Sequence, residues 1–141
     1  MNNFTYSIPT KIHFGKGQIS HLSESGNKVL LCYGGGSIKK AGIYDEAVKI
    51  LKEEDMEIFE LSGIAPNPKI ESVREGVKLC KENSIDMVLA IGGGSVIDCA
   101  KVVAAGIMPK HFLYLFIMMG IHGIWLLHQD GSRKHCQFTV S

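Results

Sequence analysis

Asp86-Met-Val-Leu-Ala-Ile-Gly-Gly-Gly-Ser-Val-Ile-Asp98 is the stretch that decides the fold. Residues 86–91 form a short apolar run that stops at Gly92, which predicts a strand buried on both faces. The glycines lead into small, helix-compatible residues over 96–105. A strand that runs through glycine into a helix presents unpaired N–H groups and the positive end of a helix dipole, a setting that binds phosphate. Glycine also lets an anion approach the backbone. Ser95 is expected to cap the helix, with Asp98 three residues on at the capping-box position. A capped turn with no ligand would begin the same way, but three consecutive glycines exceed what a turn needs. The pattern is neither G-x-G-x-x-G nor a P-loop.

The same arrangement occurs upstream. Lys28-Val-Leu-Leu-Cys-Tyr33 is a second apolar run, and it ends in Gly34-Gly-Gly-Ser37. Residues 41–54 follow as a helix, with Ala47, Val48 and Leu51 at helical spacing. Met56-Glu-Ile-Phe-Glu-Leu-Ser62 alternates as a half-exposed strand does. Gly63-Ile-Ala-Pro-Asn-Pro68 is a loop, because two prolines bar regular structure. Ile70, Val73, Val77 and Cys80 make one stripe of a helix. Lys11-Ile-His-Phe-Gly-Lys-Gly17 reads as a strand and turn. Strand and helix alternate throughout, which predicts an α/β fold, a Rossmann-like parallel sheet flanked by helices. Ligands of such sheets sit beyond the carboxyl ends of the strands, where both glycine clusters fall. A dinucleotide 2′-phosphate at the first cluster would need Ser37 with Lys39 or Lys40. NAD would need an acid, and none is adjacent in sequence, so NAD and NADP both stay open.

Composition divides the 141 residues near Gly106. Residues 1–106 hold 12 Lys/Arg and 13 Asp/Glu, whereas 107–141 hold only Lys110, Asp130, Arg133 and Lys134. The net charge of +1 gives no bulk drive toward nucleic acid. Phe112 to Leu127 carries no charge, but 16 residues fall short of the ~20 that a membrane helix needs, so a membrane anchor is the weaker reading. His122, His128 and His135 lack metal-motif spacing. Cys32, Cys80 and Cys99 lie in apolar or periodic segments, no C-x-x-C pair exists, and no secretory signal opens the chain; a reduced cytoplasmic protein is expected.

Four motifs in order now carry a resemblance: Tyr6-Ser-Ile-Pro-Thr-Lys-Ile-His-Phe-Gly-Lys-Gly17; Tyr33-Gly-Gly-Gly-Ser-Ile-Lys39 with Gly42-Ile-Tyr-Asp45; Leu61-Ser-Gly-Ile-Ala-Pro-Asn-Pro68; and Leu89-Ala-Ile-Gly-Gly-Gly-Ser95 with Asp98-Cys-Ala-Lys101. Residues 4–106 resemble the N-terminal part of the iron-dependent (group III) alcohol dehydrogenases, in particular the NAD(P)H-dependent butanol dehydrogenases. The resemblance implies an NAD(P)H cofactor and hydride transfer between it and an aldehyde or primary alcohol. It implies that Gly93, Gly94, Ser95, Val96, Ile97 and Asp98 hold the pyrophosphate near the nicotinamide side. It implies that Asn67 contacts the cofactor, and that Gly35, Gly36 and Ser37 border the adenosine ribose. Asn67 would also suit a plain turn, and Lys101 would also suit an ion pair with Asp98.

In this family an aspartate and three histidines of a C-terminal helical domain hold the iron or other divalent metal. None of the six histidines here stands at such a position. The expectation is therefore an incomplete dinucleotide-binding domain over 1–106, with no catalytic or metal-ligating residue and no activity alone. A non-catalytic nucleotide-binding remnant or a pseudogene product is the competing reading. A homodimer is admitted for the full-length enzyme only. Residues 107–141 are expected to be an aberrant tail. Read one base earlier, the codons of Met118-Met119-Gly120 spell a residue such as Tyr followed by Asp-Gly, as the family has after this helix. An out-of-frame translation from somewhere after Gly106 is the expected origin of the tail.

Overall fold

The computed structural model describes residues 11–14, 22, 26–107, 113–118 and 123–129. In chain order the elements are β1 (Lys11–Phe14), β2 (Lys28–Tyr33), α1 (Ser37–Lys40), α2 (Ile43–Glu53), β3 (Glu57–Leu61), α3 (Ile70–Asn83), β4 (Met87–Ile91), α4 (Gly94–Ile107), β5 (Leu113–Met118) and β6 (Gly123–Gln129). They form one sheet of order β1-β6-β5-β4-β2-β3. β2 pairs in parallel with both β3 and β4, and β4 pairs in parallel with β5. β6 runs antiparallel to β5 and β1. The predicted parallel α/β sheet is present.

Alternation along β2 and β4 builds two cores. Val29, Leu31 and Tyr33 of β2 join Met87, Leu89 and Ile91 of β4 on one face, under Ile38, Ile43, Ala47 and Leu51 of α1 and α2. Leu30, Cys32, Val88 and Ala90 face the other way, under Cys80 of α3 and Val96, Cys99, Ala100 and Val103 of α4. Strands buried on both faces must be apolar at every position, which is why these two runs lack the alternation seen in β3. Helices α3 and α4 pack closely through Gly76 and Gly106. A Cβ on Gly76 would lie 2.7 Å from Val103 Cγ2, and one on Gly106 would lie 2.8 Å from Val77 Cγ2. At the opposite end of the sheet from the glycine clusters, Asp86 accepts the backbone N–H of Asn27 (3.0 Å) and Lys28 (2.9 Å), which fixes the start of β2 against β4.

The helix predicted over 41–54 is present as α2, Ile43–Glu53. Two features were not expected. A four-residue helix, α1, precedes α2, and the two are separated at Gly42, whose φ of 74° is a left-handed conformation that glycine takes without steric cost. Residues beyond Ile107 received no element from sequence, yet Leu113–Met118 and Gly123–Gln129 are strands, β5 and β6. An uncharged run rich in aromatic and branched residues suits a sheet, and glycines set its limits. The turn at 15–17, Cys136, His111, His122 and His135 lie outside the described residues.

Candidate functional site

Parallel pairing puts Tyr33 opposite Ile91, so both Gly-Gly-Gly-Ser segments leave the sheet at its carboxyl end, side by side. The loop after β3 joins them. The N–H groups of Gly63 and Ile64 donate to the carbonyls of Gly34 (3.1 Å) and Tyr33 (3.2 Å). Further along the loop, the Asn67 N–H donates to Ser95 Oγ at 3.3 Å. Asn67 has a φ of 57°, a left-handed conformation that asparagine tolerates better than most residues. Gly35, Gly36, Ser37, Asn67 and residues 93–98 therefore converge on one end of the sheet, at the loops and the start of α4.

The glycines divide into two kinds. Gly92 serves the fold: its φ is 154°, and a Cβ there would lie 2.9 Å from Val96 Cγ2. Gly34 does the same more mildly, with a Cβ 3.2 Å from the Ile64 carbonyl oxygen. Gly35, Gly36, Gly93 and Gly94 are different. None has a left-handed φ, and a Cβ on any of them would meet nothing within 4 Å. Neither packing nor backbone conformation asks for glycine at these four positions. Their bare backbone faces open space, and at Gly93 and Gly94 that backbone opens α4, whose first-turn amides have no acceptor within the helix.

Ser95 departs from its expected capping role, and Asp98 takes the ion-pair alternative. The Gly93 carbonyl accepts the N–H of Val96 (3.1 Å) and Ile97 (3.2 Å), so Gly93 occupies the cap position and α4 begins at Gly94. Ser95 lies one position inside the helix, and its hydroxyl is turned to Asn67 instead of to the cap. Asp98 accepts from Lys101 Nζ at 3.5 Å, the i,i+3 pairing that spacing alone suggests. Val96 and Ile97 are buried in or near the core under α4, with 5% and 6% of their surface exposed, so they contribute backbone and not side chain to this end of the sheet.

One charged residue escaped the sequence reading. Glu60 of β3 stands beside the first cluster. Tyr33 and Tyr44 each donate a hydroxyl to one of its carboxylate oxygens at 2.5 Å. These two bonds, then the nearby Lys39, hold the Glu60 pKa below its ordinary value. The bond to Glu60 pushes Tyr44 up to about 12. Lys39 Nζ lies over both rings, 5.2 Å from the Tyr33 centroid and 4.6 Å from that of Tyr44. Glu60 is aligned with Leu31 across the sheet, so it faces the α2 side. The alternation of β3 was the available signal, because it puts Glu60 on the side of Ile58; the pairing that brings it to Tyr33 is not local.

Three cysteines fall among the described residues. Cys32, Cys80 and Cys99 are buried and free, and burial raises all three thiol pKa values, Cys80 to about 12. Among the described residues no group of three His, Cys, Asp or Glu is placed to hold a metal ion. The described residues therefore do not fit a resident iron. Among them, too, no helix is long and apolar enough to cross a membrane.

A parallel sheet with open glycine backbone at its carboxyl end defines an α/β domain of the Rossmann-like kind. The family model of iron-containing alcohol dehydrogenases matches residues 9–122, and the chain belongs to that family. It is 57% identical over 111 residues to NADH-dependent butanol dehydrogenase A of Clostridium acetobutylicum, covering 76% of this chain and 28% of that protein. It is 46% identical over 122 residues to the NADPH-dependent aldehyde reductase YqhD of Escherichia coli, covering 80% and 31%. The crystal structure of NADH-dependent butanol dehydrogenase A from Thermotoga maritima superposes with a TM-score of 0.75 at 42% identity, over 83% of this chain and 34% of that one. The chain thus spans about 28% of the length of the Clostridium enzyme. These relatives support an oxidoreductase assignment by family.

Proposed function

We propose that this chain is the cofactor-binding part of an NAD(P)H-dependent oxidoreductase that interconverts an aldehyde and a primary alcohol. The observation that carries the reading is the set of four glycines, Gly35, Gly36, Gly93 and Gly94, whose missing side chains serve nothing inside the molecule. A ligand that must touch backbone is a reason for glycine at such positions. In this reading the amides of Gly93, Gly94 and Ser95 meet the pyrophosphate, with the α4 dipole adding to the attraction. The backbone of Val96 and Ile97 and the Asp98 carboxylate continue that contact toward the nicotinamide. Asn67 is held over the same helix start by Ser95, and Gly35, Gly36 and Ser37 border the adenosine ribose. The names of the relatives, butanol dehydrogenases and an aldehyde reductase, support the substrate class.

The chain alone is expected to bind cofactor without turnover, because its described residues offer no metal site. Three free, buried cysteines suit the reducing cytoplasm. We also propose that residues after Gly106 are read out of frame; the coding DNA tests it, and a shifted frame that meets an immediate stop ends it. The function is tested by titrating the purified chain with NADH, following nicotinamide fluorescence, and then adding butanal. Saturable binding with no loss of NADH supports the reading. Absence of binding contradicts the cofactor site, and steady oxidation of NADH contradicts the inactivity.

A further inference from the structure

We propose that Glu60 sets cofactor choice at the first glycine cluster, favouring a free adenosine 2′-hydroxyl over a 2′-phosphate by engaging Lys39. The inference rests on the reading that a dinucleotide binds at the strand ends. Lys39 lies two residues past Ser37 on α1 and is a cation within reach of a phosphate at that side. Its ammonium is already placed. It sits over the faces of Tyr33 and Tyr44, an arrangement that attracts a cation through the ring quadrupoles. The same two tyrosines turn their hydroxyls to both oxygens of Glu60, so that carboxylate is held on the Lys39 side of β3. The tyrosines thereby join a cation and an anion into one neutral group beside Gly35, Gly36 and Ser37.

A 2′-phosphate arriving there would have to draw Lys39 off the rings and would face the Glu60 carboxylate. A 2′-hydroxyl meets neither cost. Lys40, the other cation of α1, is exposed and leaves a residual attraction for phosphate. Discrimination is therefore modest, as befits exposed charges.

The test is a pair of titrations, NADH and NADPH, on the chain and three variants. The two cofactors differ only by the 2′-phosphate, so the ratio of their dissociation constants cancels any general loosening of the fold. The chain should bind NADH more tightly than NADPH. Glu60→Gln should move the ratio toward NADPH by roughly fivefold. The double variant Lys39→Gln/Glu60→Gln should lose that gain, since the freed lysine is what serves the phosphate. Tyr44→Phe keeps the Glu60 charge but removes one of its two anchors, and should move the ratio the same way by less; it answers the question if Glu60→Gln fails to fold. A chain that binds NADPH as tightly as NADH, or a ratio unmoved by these variants, overturns the inference while leaving the dinucleotide reading intact. Binding of neither cofactor overturns both.

Discussion

The two Gly-Gly-Gly-Ser turns have the same four residues, leave adjacent strands and do different work. In each, the first glycine belongs to the fold and the next two face open space. Beyond that they diverge. The second turn enters a 14-residue helix with a buried stripe, so its first-turn amides are rigidly aimed. The first turn enters a helix of only four residues that restarts at Gly42. It has little dipole to offer, and its character comes from side chains instead: Tyr33, Lys39, Tyr44 and Glu60. A short motif thus fixes the backbone locally, while the element that follows decides whether it acts through amides or through charge.

Four outcomes test this contrast between the turns. The largest concerns the structural glycines. Gly92→Ala should destabilise the chain by about 2 kcal/mol, because it combines backbone strain with a clash on Val96. Gly34→Ala should cost about 1 kcal/mol, since only the Ile64 carbonyl must give way. Urea denaturation measures both, and equal costs would erase the asymmetry. Next come the open glycines. Gly94→Val, one residue inside the cap, should change the unfolding free energy by no more than about 0.5 kcal/mol yet weaken NADH binding about tenfold by calorimetry. Gly35→Val, at the ribose side, should weaken it only about threefold.

A smaller effect separates the turns by acid. Glu60 ionises more readily in the folded chain than in the unfolded one, so its contribution is complete above the ordinary carboxylate value of 4.5 and is lost as pH falls through the lower folded value. Glu60→Gln should therefore flatten the acid limb of the stability profile, whereas variants at the second turn should not. The smallest is Ser95→Ala. Losing the acceptor of the Asn67 N–H, at 3.3 Å in an exposed loop, should cost about 0.5 kcal/mol in thermal unfolding.

Much of this was legible in the sequence, for local reasons. Unbroken apolar runs marked β2 and β4, since both faces of each are covered. Two prolines marked the loop carrying Asn67, and the glycines marked the strand ends. Three features were not legible. Glu60 reaches Tyr33 only through the pairing of β3 with β2, which spans 27 residues of sequence. Ser95 looks like a helix cap because serine caps well, yet Gly93 takes that place and the hydroxyl goes to a loop that sequence cannot position. Strands β5 and β6 fall in a segment whose composition departs from the rest, and composition alone does not say which sheet edge an apolar run will join.

Backbone contact with the cofactor at the paired strand ends is visible in amide chemical shifts. In a titration of the isotope-labelled chain with NADH, the amides of Gly35, Gly36, Asn67, Gly93, Gly94 and Ser95 should move together and saturate at one concentration. The amides of Asn27, Lys28 and Met87, at the other end of the same strands, should stay still. Shifts centred on those latter residues, or no saturable shift at the glycines, would contradict the account.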